Sequence, residues 1–533
     1  MRIIYKLFAG ICGVLLVLTL IPCLIWYGAV NFSTFNEKVT LTHTSPLLFP
    51  GILILILCLI LAARFLYAGA TARQTRQRRF IFSLLLLLAA EAYLCIYWQT
   101  HYDNAPIADQ NQVWNAAVAI AQGTNLNNAS YFILLPRQKA MALCFAVVAK
   151  LFGTDYDTSI RPLNAVFLLL LVLWNALLAF RITKKEEAGS LCALLTVLFT
   201  PLVFYTCFVY GTIPSISLTV GTFYFAVRLV QTGKVRYLLP ETLCALLMVL
   251  MYSAAWLGSL AVLMILLPCS VMLFRTDRKK AFTLLAGAVL PILIPYSAML
   301  LVPSVFQALT GIGSTNTSAP TLTWIVMGLS SSNNTVAGPG SYNQLPETVL
   351  QEGETTAEAS ARLFSTLKTI LSEYLSGSRS LFFFVEKTLY QWTDPWFGSL
   401  TLTLVQRGNR LAHMRHVAAG TKATTVSLTL LARLEPLLVV FRTTVLLLAL
   451  LFVLSLLFRR KGKSISPEMF CRLLPAVYFA GIFCFQLFWE SKSRYCMPAI
   501  VLLIPLAAAA IEEIKQSRLI SNPFTKSKNH LTS

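Results

Sequence analysis

Long apolar runs recur along most of this chain, and short polar segments separate them. Twelve of the runs have about the 20 residues that a helix needs to cross a bilayer. They cover approximately residues 7–30, 46–68, 80–100, 160–181, 189–209, 211–231, 237–253, 255–274, 281–302, 438–458, 470–489 and 493–513. The pattern therefore predicts an all-α polytopic membrane protein.

A thirteenth apolar run, residues 138–151, is short for a span and carries Lys150 near its end. The basic residues favour one placement, because cytoplasmic loops carry an excess of lysine and arginine. With twelve spans, four basic clusters fall on the side of both termini: residues 73–79, 181–185, 275–280 and 459–463. We therefore predict twelve spans, cytoplasmic termini and an amphipathic interfacial helix at 138–151. The alternative is a thirteenth span, which would place the cluster at 181–185 outside.

Two polar regions then face the outer side, residues 100–159 and residues 303–437. The first is expected to hold juxtamembrane helices. The second is long enough for a large loop or a small domain, and its stretch at 330–343 is rich in turn-forming residues. We predict five segments: an N-terminal hairpin with a basic loop (1–79), a membrane core (80–302), the second polar region (303–437), C-terminal spans (438–513) and a basic tail (514–533).

Composition excludes several functional classes. Apolar residues make up 57% of the chain and charged residues only 12%, which is about half the charged fraction of soluble domains. A net charge of +21 would suggest nucleic acid as a partner of a soluble protein, but here the basic residues lie in short loops between spans. The 12 cysteines fall mostly within apolar runs, so they predict neither a metal site nor a disulfide framework. We expect the membrane, and no nucleic acid, as a partner.

The most distinctive polar residues follow the third span. Asp103 and Asp109 lie there at a membrane boundary, where ionisable residues are candidates for function. Asp109 also precedes an amphipathic helical stretch, where a carboxylate serves equally as a helix cap. The residues alone leave both roles open for Asp109, and Asp103 fits a loop position. Glu91, inside the third span, either lines a cavity or bonds a neighbouring helix.

Four stretches, in chain order, resemble a known family. The first outer loop has the helical stretch at 109–123 followed by residues 131–132 and 136–138. The other three are residues 320–328 with 340–343, residues 387–397, and residues 490–498. Together they resemble the GT-C glycosyltransferases, in particular the bacterial branch similar to dolichyl-phosphate-mannose–protein mannosyltransferases. The resemblance runs from about residue 80 to 513 and leaves the first two spans as an extra hairpin.

The resemblance implies a GT-C-like fold and an inverting glycosyltransferase in a bacterial plasma membrane. Such enzymes move a sugar from a polyprenyl-phosphate donor to an acceptor on the outer face, and a carboxylate accepts the proton of the acceptor hydroxyl. The implied base is Asp109, with Asp103 as the second catalytic candidate. Family members often carry two adjacent acidic residues, whereas Gln110 follows Asp109 here. This departure puts metal binding in doubt, so we assign no metal ligands and no certain cofactor, and a divalent metal stays open as an alternative.

Cations should stabilise the phosphate leaving group as its charge develops. The candidates are Arg494 first, then Arg137 and Lys139, although cations at a membrane interface also serve by snorkelling alone. The candidate sugar or acceptor contacts are Tyr131, Gln138, Trp324, Tyr342, Asn343, Glu490 and Tyr495. Aromatic residues are common at membrane interfaces in any case, and Glu490 could instead pair with Arg494.

A transporter or lipid flippase is the main alternative, since twelve spans suit either class. Transporters place polar residues near the membrane midplane on broken helices, whereas the unusual polar residues here gather at the outer face. A related transferase of whole glycans is a third possibility. The acceptor could be a cell-wall glycan, a lipid or a protein, because the large loop that would bind it has the weakest motifs.

Overall fold

The computed structural model describes residues 1–30, 37–101, 106–313, 317–331, 338–377, 379–403, 423–458 and 465–516. Within these ranges the protein is helical almost throughout, as predicted. The elements are α1 (Arg2–Ile25), β1 (Trp26–Ala29), β2 (Thr40–His43), α2 (Leu48–Leu66), α3 (Arg73–His101), α4 (Asp109–Gln122), α5 (Ala129–Leu134), α6 (Lys139–Phe152), α7 (Ile160–Thr183), α8 (Glu186–Leu198), α9 (Pro201–Tyr205), α10 (Thr212–Thr232), α11 (Leu238–Met251), α12 (Trp256–Leu273), α13 (Arg278–Thr310), α14 (Leu322–Gly328), α15 (Leu345–Thr348), α16 (Thr356–Ser376), α17 (Arg379–Trp392), α18 (Ser399–Thr403), α19 (Ala423–Leu457), α20 (Pro467–Cys471), α21 (Leu474–Phe488) and α22 (Met497–Gln516). Short 3-10 turns precede α6, α11, α12 and α22.

Nine helices in the described part of the chain are long and apolar enough to cross a membrane. They are α1, α2, α3, α7, α10, α12, α13, α19 and α22, and each overlaps a predicted span. The other three predicted spans correspond to shorter helices. Residues 189–209 break between α8 and α9, where Pro201 opens a new helix, and the other two contain the 14-residue α11 and the 15-residue α21. Hydropathy alone does not reveal such breaks.

The N-terminal hairpin is built into the bundle. Both α1 and α2 pack against α19, and α1 also packs against α21. Between them, β1 and β2 pair antiparallel with Trp26 opposite His43, a small sheet that the sequence did not predict. Gly28 lies so close to its neighbours that a Cβ atom would come within 2.6 Å of Val39, and its N–H donates to the Thr393 carbonyl at 2.9 Å. The first two spans thus hold the loop after α17.

Ion pairs connect the basic loops to one another at one end of the helix bundle. Arg76 lies 2.6 Å from Glu187, and Lys515 also reaches Glu187 at 3.9 Å. Lys184 pairs with Glu468 at 2.6 Å. The beginnings of α3, α8 and α20 therefore meet the ends of α7 and α22, and we call this the basic end. Since α3 and α22 run the length of the bundle, the C-terminus of α3 and the N-terminus of α22 lie at the opposite end.

The last helix is the centre of the packing. Nearly every described residue of α22 is buried, including the run of four alanines at 507–510, and α22 contacts α7, α8, α19 and α21. Small side chains let neighbouring helices approach closely, which is how helices associate in membranes. The N-terminus of α22 therefore has a rigid base.

Helix α13 is longer than the predicted span and extends to Thr310. Its last turns place Phe306 against Phe132 of α5, with ring centroids 5.1 Å apart. Three prolines, at 291, 295 and 303, lie inside it, where each removes a backbone hydrogen bond and favours bending. The C-terminal part of α13 thus supports the short helices of the first polar region.

Candidate active site

The segment at 489–495 is fixed from behind by one buried lysine. The Lys387 ammonium on α17 donates to three backbone carbonyls: Leu487 at 3.1 Å, Trp489 at 2.7 Å and Gly328 at 2.5 Å. Burial lowers the pKa of Lys387 to about 7, and the three carbonyls offset part of that cost because each accepts one of the ammonium protons. Lys387 thereby joins α14, α17 and the C-terminus of α21.

A buried aspartate fixes the other side of the same segment. Asp394 accepts hydrogen bonds from the N–H groups of Trp396 at 2.9 Å and Gly398 at 2.8 Å, and from the Ser493 hydroxyl at 2.7 Å. Between its two backbone donors, Phe397 has a φ of 51°, which L-residues adopt only when the surroundings enforce it. The motif at 387–397 therefore builds the scaffold of the site rather than its reacting groups.

Arg494 and Tyr495 lie on the 3-10 turn that these anchors hold. The Arg494 guanidinium donates to the Tyr495 hydroxyl at 3.2 Å, and this hydroxyl donates to the Glu490 carboxylate at the same distance. Arg494 also lies 6.0 Å from the centroid of the Phe208 ring. Among the described residues, no carboxylate forms an ion pair with Arg494, so its charge is available to an anionic ligand.

The carboxylate of Glu490 is instead shared with Lys492. Lys492 lies 3.4 Å from Glu490 and 3.6 Å from Glu37 in the loop before β2. Burial by itself would lower the pKa of Lys492, but these two carboxylates outweigh it and raise that pKa. The Lys492 ammonium also lies 5.6 Å from the Tyr342 ring. The predicted pairing of Glu490 with Arg494 is thus indirect, through Tyr495. Glu37 and residues 491–494 line a cleft together with α18.

Tyrosines from the loops beside α10 and α12 line the next part of the site. Gln138 donates to the Tyr210 hydroxyl at 2.6 Å, and the Tyr210 ring lies 6.2 Å from that of Tyr252. Burial raises the pKa of Tyr210 most, the Asp109 carboxylate raises it further, and Arg494 and Arg137 lower it. Tyr210 therefore lies within electrostatic reach of the predicted base and of two predicted phosphate ligands.

Asp109 is the first residue of α4, and its side chain is partly exposed. It lies beside the buried hydroxyl of Tyr131, close enough for its carboxylate to act as a hydrogen-bond acceptor for that group. Burial, Tyr210 and Asp109 all raise the pKa of this Tyr131 hydroxyl. The preceding residue, Ala108, adopts φ 46° and ψ −125°, a conformation that costs free energy in an L-residue and is concentrated at functional sites.

The neighbouring Gln110 has a structural role. Its Oε1 accepts from the Val209 N–H at 2.9 Å, and its Nε2 donates to the Leu402 carbonyl at 3.4 Å. The side chain therefore ties α4 to the α9–α10 loop and to α18. No group of three His, Cys, Asp or Glu side chains placed to hold a metal ion occurs in the described ranges.

We expect Gln110→Glu to destabilise the protein by about 1–2 kcal/mol, because a carboxylate would face the Leu402 carbonyl with no proton to donate. Thermal unfolding of the purified protein in detergent measures this, with Gln112→Glu as the matched control. Gln112 uses only its oxygen, as the acceptor for Asn128, and a glutamate keeps that acceptor. Equal melting temperatures for Gln110→Glu and the wild type would contradict this role of Gln110.

Arg137 is held in place by an aromatic side chain. Its guanidinium lies 3.8 Å above the Trp324 ring, and Trp324 stacks on Trp489 with centroids 6.2 Å apart. This cation–π contact fixes the side chain without neutralising its charge. Trp324 is almost fully buried, so here it supports Arg137.

The remaining predicted residues are placed differently. Lys139 is buried with its ammonium 5.4 Å from the Phe306 ring, and burial lowers its pKa. The Asn343 side chain accepts from the Leu345 N–H at 3.2 Å, as in a turn, and no described contact joins either residue to Asp109 or Arg494. Asp103 lies outside the described residues.

The structure thus brings eight of the predicted residues into one region: Asp109, Tyr131, Arg137, Gln138, Trp324, Glu490, Arg494 and Tyr495. Tyr342 joins them through Lys492. Sequence reasoning missed Glu37, Lys492, Tyr210 and Tyr252. Lys492 lies within the motif at 490–498 and could have been predicted from it. No motif surrounds Glu37, Tyr210 or Tyr252 in the sequence, so these three could not.

No protein-family model matches this chain, and a search of curated proteins finds no match to it.

Proposed function

We propose that this protein is an integral membrane glycosyltransferase that moves a sugar from a polyprenyl-phosphate donor to an acceptor hydroxyl, in a GT-C-like fold of twelve spans. One observation carries the proposal. The carboxylate of Asp109 and two cations with no ion-pair partner among the described residues, Arg137 and Arg494, all lie within electrostatic reach of Tyr210. A base beside a phosphate-binding pair is the arrangement that sugar transfer from a phosphate requires.

The reaction is a single displacement with inversion. The acceptor oxygen forms a bond to the anomeric carbon while the bond from this carbon to the phosphate oxygen breaks. An oxygen of Asp109 takes the proton of the acceptor hydroxyl as the attack proceeds. The phosphate leaves with an added negative charge, which Arg494 and Arg137 stabilise, since charge-assisted hydrogen bonds to phosphate are strong. The tyrosines and Trp324 keep both cations in position.

The membrane orientation belongs to the proposal. The basic end carries the lysines and arginines that favour the cytoplasm, which puts both termini there and the site at the outer face of a bacterial plasma membrane. The acceptor would then be an extracytoplasmic glycan, lipid or protein.

The test follows labelled sugar from a polyprenyl-phosphate donor into the lipid, polymer and protein fractions of membranes that contain the protein. We expect transfer above that of membranes without it. Arg494→Gln should lower kcat/KM for the donor about 100-fold, because one positioned cation is lost from the developing charge. The matched control is Arg433→Gln, an exposed arginine near the N-terminus of α19. If the wild type consumes no donor, or if both variants behave alike, the transferase proposal is wrong.

A transporter is the second candidate, and one observation favours it. Glu91 on α3 and Glu241 on α11 are fully buried, and neither carboxylate has a hydrogen-bond partner among the described residues. Carboxylates within spans commonly mark ion or proton paths. A hydrogen bond from Glu91 to a neighbouring helix, one of the two alternatives for this residue, is not seen within the part of the chain that the structure describes. If these two carboxylates, rather than Asp109, prove essential while no donor is consumed, the transporter takes precedence.

A further inference from the structure

A second cleft lies at the basic end of the bundle, away from the candidate active site. It has a volume of about 480 Å³, within the range of about 300–1,000 Å³ that small-molecule sites occupy. Its charged lining residues are Arg73, Arg76, Arg181, Lys184, Lys185 and Glu186. Five cations and one carboxylate surround one space, so the cleft attracts anions.

Two of the five cations have structural partners. Arg76 bonds Glu187 and also approaches Glu186 at 3.4 Å, and Lys184 pairs with Glu468. The single carboxylate of the lining is therefore already engaged.

The other three cations have no ion-pair partner within the described ranges. They are Arg73, Arg181 and Lys185. The Nε of Arg181 is buried and has no hydrogen-bond partner there, which costs free energy unless something accepts its proton. The cleft thus holds an excess of positive charge and an unsatisfied donor.

The backbone at the N-terminus of α3 adds to this excess of positive charge. Arg73 is the first residue of α3, a helix of 29 residues. The N–H groups of a first helical turn have no partner within the helix, and the helix dipole places partial positive charge there. Cations and free N–H groups at a helix N-terminus together form a recurrent phosphate-binding arrangement.

The position of the cleft indicates where a ligand would come from. It lies where three helices long and apolar enough to span the membrane begin or end, α3, α7 and α10. The ends of such helices lie at the level of the lipid headgroups. Basic pockets between span ends on the cytoplasmic side bind anionic headgroups.

We propose that this basic cleft binds a phosphate group, supplied by an anionic phospholipid of the adjacent leaflet or by a soluble phosphate. This inference does not depend on the proposed sugar transfer, because the cleft shares no residue with the candidate active site; it uses only the proposed orientation, in which the basic end faces the cytoplasm.

The experiment measures thermal unfolding of the full-length purified protein in a neutral detergent during titration with three probes. The probes are phosphatidylglycerol, phosphatidylcholine and inorganic phosphate. We expect phosphatidylglycerol to raise the melting temperature saturably and phosphatidylcholine to leave it unchanged. The double variant Arg181→Gln/Lys185→Gln should bind phosphatidylglycerol at least about tenfold more weakly, since each cation near a headgroup contributes about 1 kcal/mol, or about fivefold.

The charge-matched control is Arg278→Gln/Lys279→Gln, two exposed cations at the N-terminus of α13 that do not line the cleft. It should bind like the wild type. Arg73 is exposed, so Arg73→Gln tests the site without loss of packing if the double variant fails to fold. An equal, variant-sensitive shift with millimolar inorganic phosphate would assign a soluble ligand. The proposal is overturned if no probe produces a shift, or if cleft and control variants lose the shift equally.

Discussion

Replacement of Asp109 by asparagine is expected to lower sugar transfer by about 10²–10⁴-fold, the usual contribution of a general base. Asparagine has nearly the shape of aspartate but cannot take a proton from the acceptor hydroxyl. Donor binding should change little, because Arg494 and Arg137 remain in place, so the loss should appear in kcat rather than in KM. The labelled-sugar assay, at equal amounts of protein in the membrane, measures both constants.

This substitution separates the two roles that the sequence leaves open. Ala108 is the N-cap of α4 and Asp109 its first residue, with no side-chain cap hydrogen bond. A purely structural Asp109 would therefore act on the helix dipole, so that its replacement by asparagine would cost only about 0.3–1 kcal/mol of stability and leave transfer nearly unchanged. The control is Asp155→Asn, an exposed position in the same polar region whose side chain accepts from the Asp157 N–H at 3.2 Å. Asparagine retains that acceptor. Transfer by Asp109→Asn within twofold of the wild type would show that Asp109 is not the base.

Lys387→Met should have the largest effect on stability, a loss of about 4 kcal/mol. Methionine fills a similar volume but leaves the carbonyls of Gly328, Leu487 and Trp489 without their donor, and each unsatisfied buried carbonyl costs about 1–3 kcal/mol. Thermal unfolding in detergent is the measurement. Because the three carbonyls surround the segment that bears Arg494, transfer should fall together with stability.

Lys368→Met is the matched control, since Lys368 is exposed on α16 and contacts only Phe364 among the described residues. Its melting temperature should equal that of the wild type. If Lys387→Met melts with the control, the three carbonyls do not depend on this ammonium, and the proposed anchor is wrong.

The sequence predicted the helical class and nine of the twelve spans because about 20 consecutive apolar residues have few stable alternatives to a membrane helix. It did not reveal the break in 189–209, or that the helices within 237–253 and 470–489 have only 14 and 15 residues, because apolar loops buried among helices have the same composition as helices. The β1–β2 hairpin was also missed. Its strands have only four residues each, and its position depends on a hydrogen bond to Thr393, far away in the chain.

The residues of the candidate site were likewise predicted only in part from the sequence. Asp109 and Arg494 were predicted from local motifs, and the tertiary structure brings both within electrostatic reach of Tyr210. Lys139 and Lys387 are both lysines in or beside motif segments, yet one packs on Phe306 and the other holds three carbonyls. Only the surroundings of each ammonium distinguish them, and those surroundings come from residues distant in sequence. Glu37 was overlooked for this reason, since nothing close to it indicates that it would meet Lys492.

The length of α13 makes the candidate site sensitive to the lipid bilayer around it. Its 33 residues extend over about 50 Å as a helix, whereas the hydrocarbon core of a bilayer is about 30 Å thick. The apolar run at 281–302 accounts for about 33 Å of this length, and the tilt of such a helix follows the thickness of the bilayer around it. Because Phe306 near its far end packs on Phe132 and under Lys139, a change of tilt moves the segment that bears Arg137. Under the proposed function, we therefore expect acyl-chain length to change the spacing between Arg137 and Arg494, and with it the affinity for the donor.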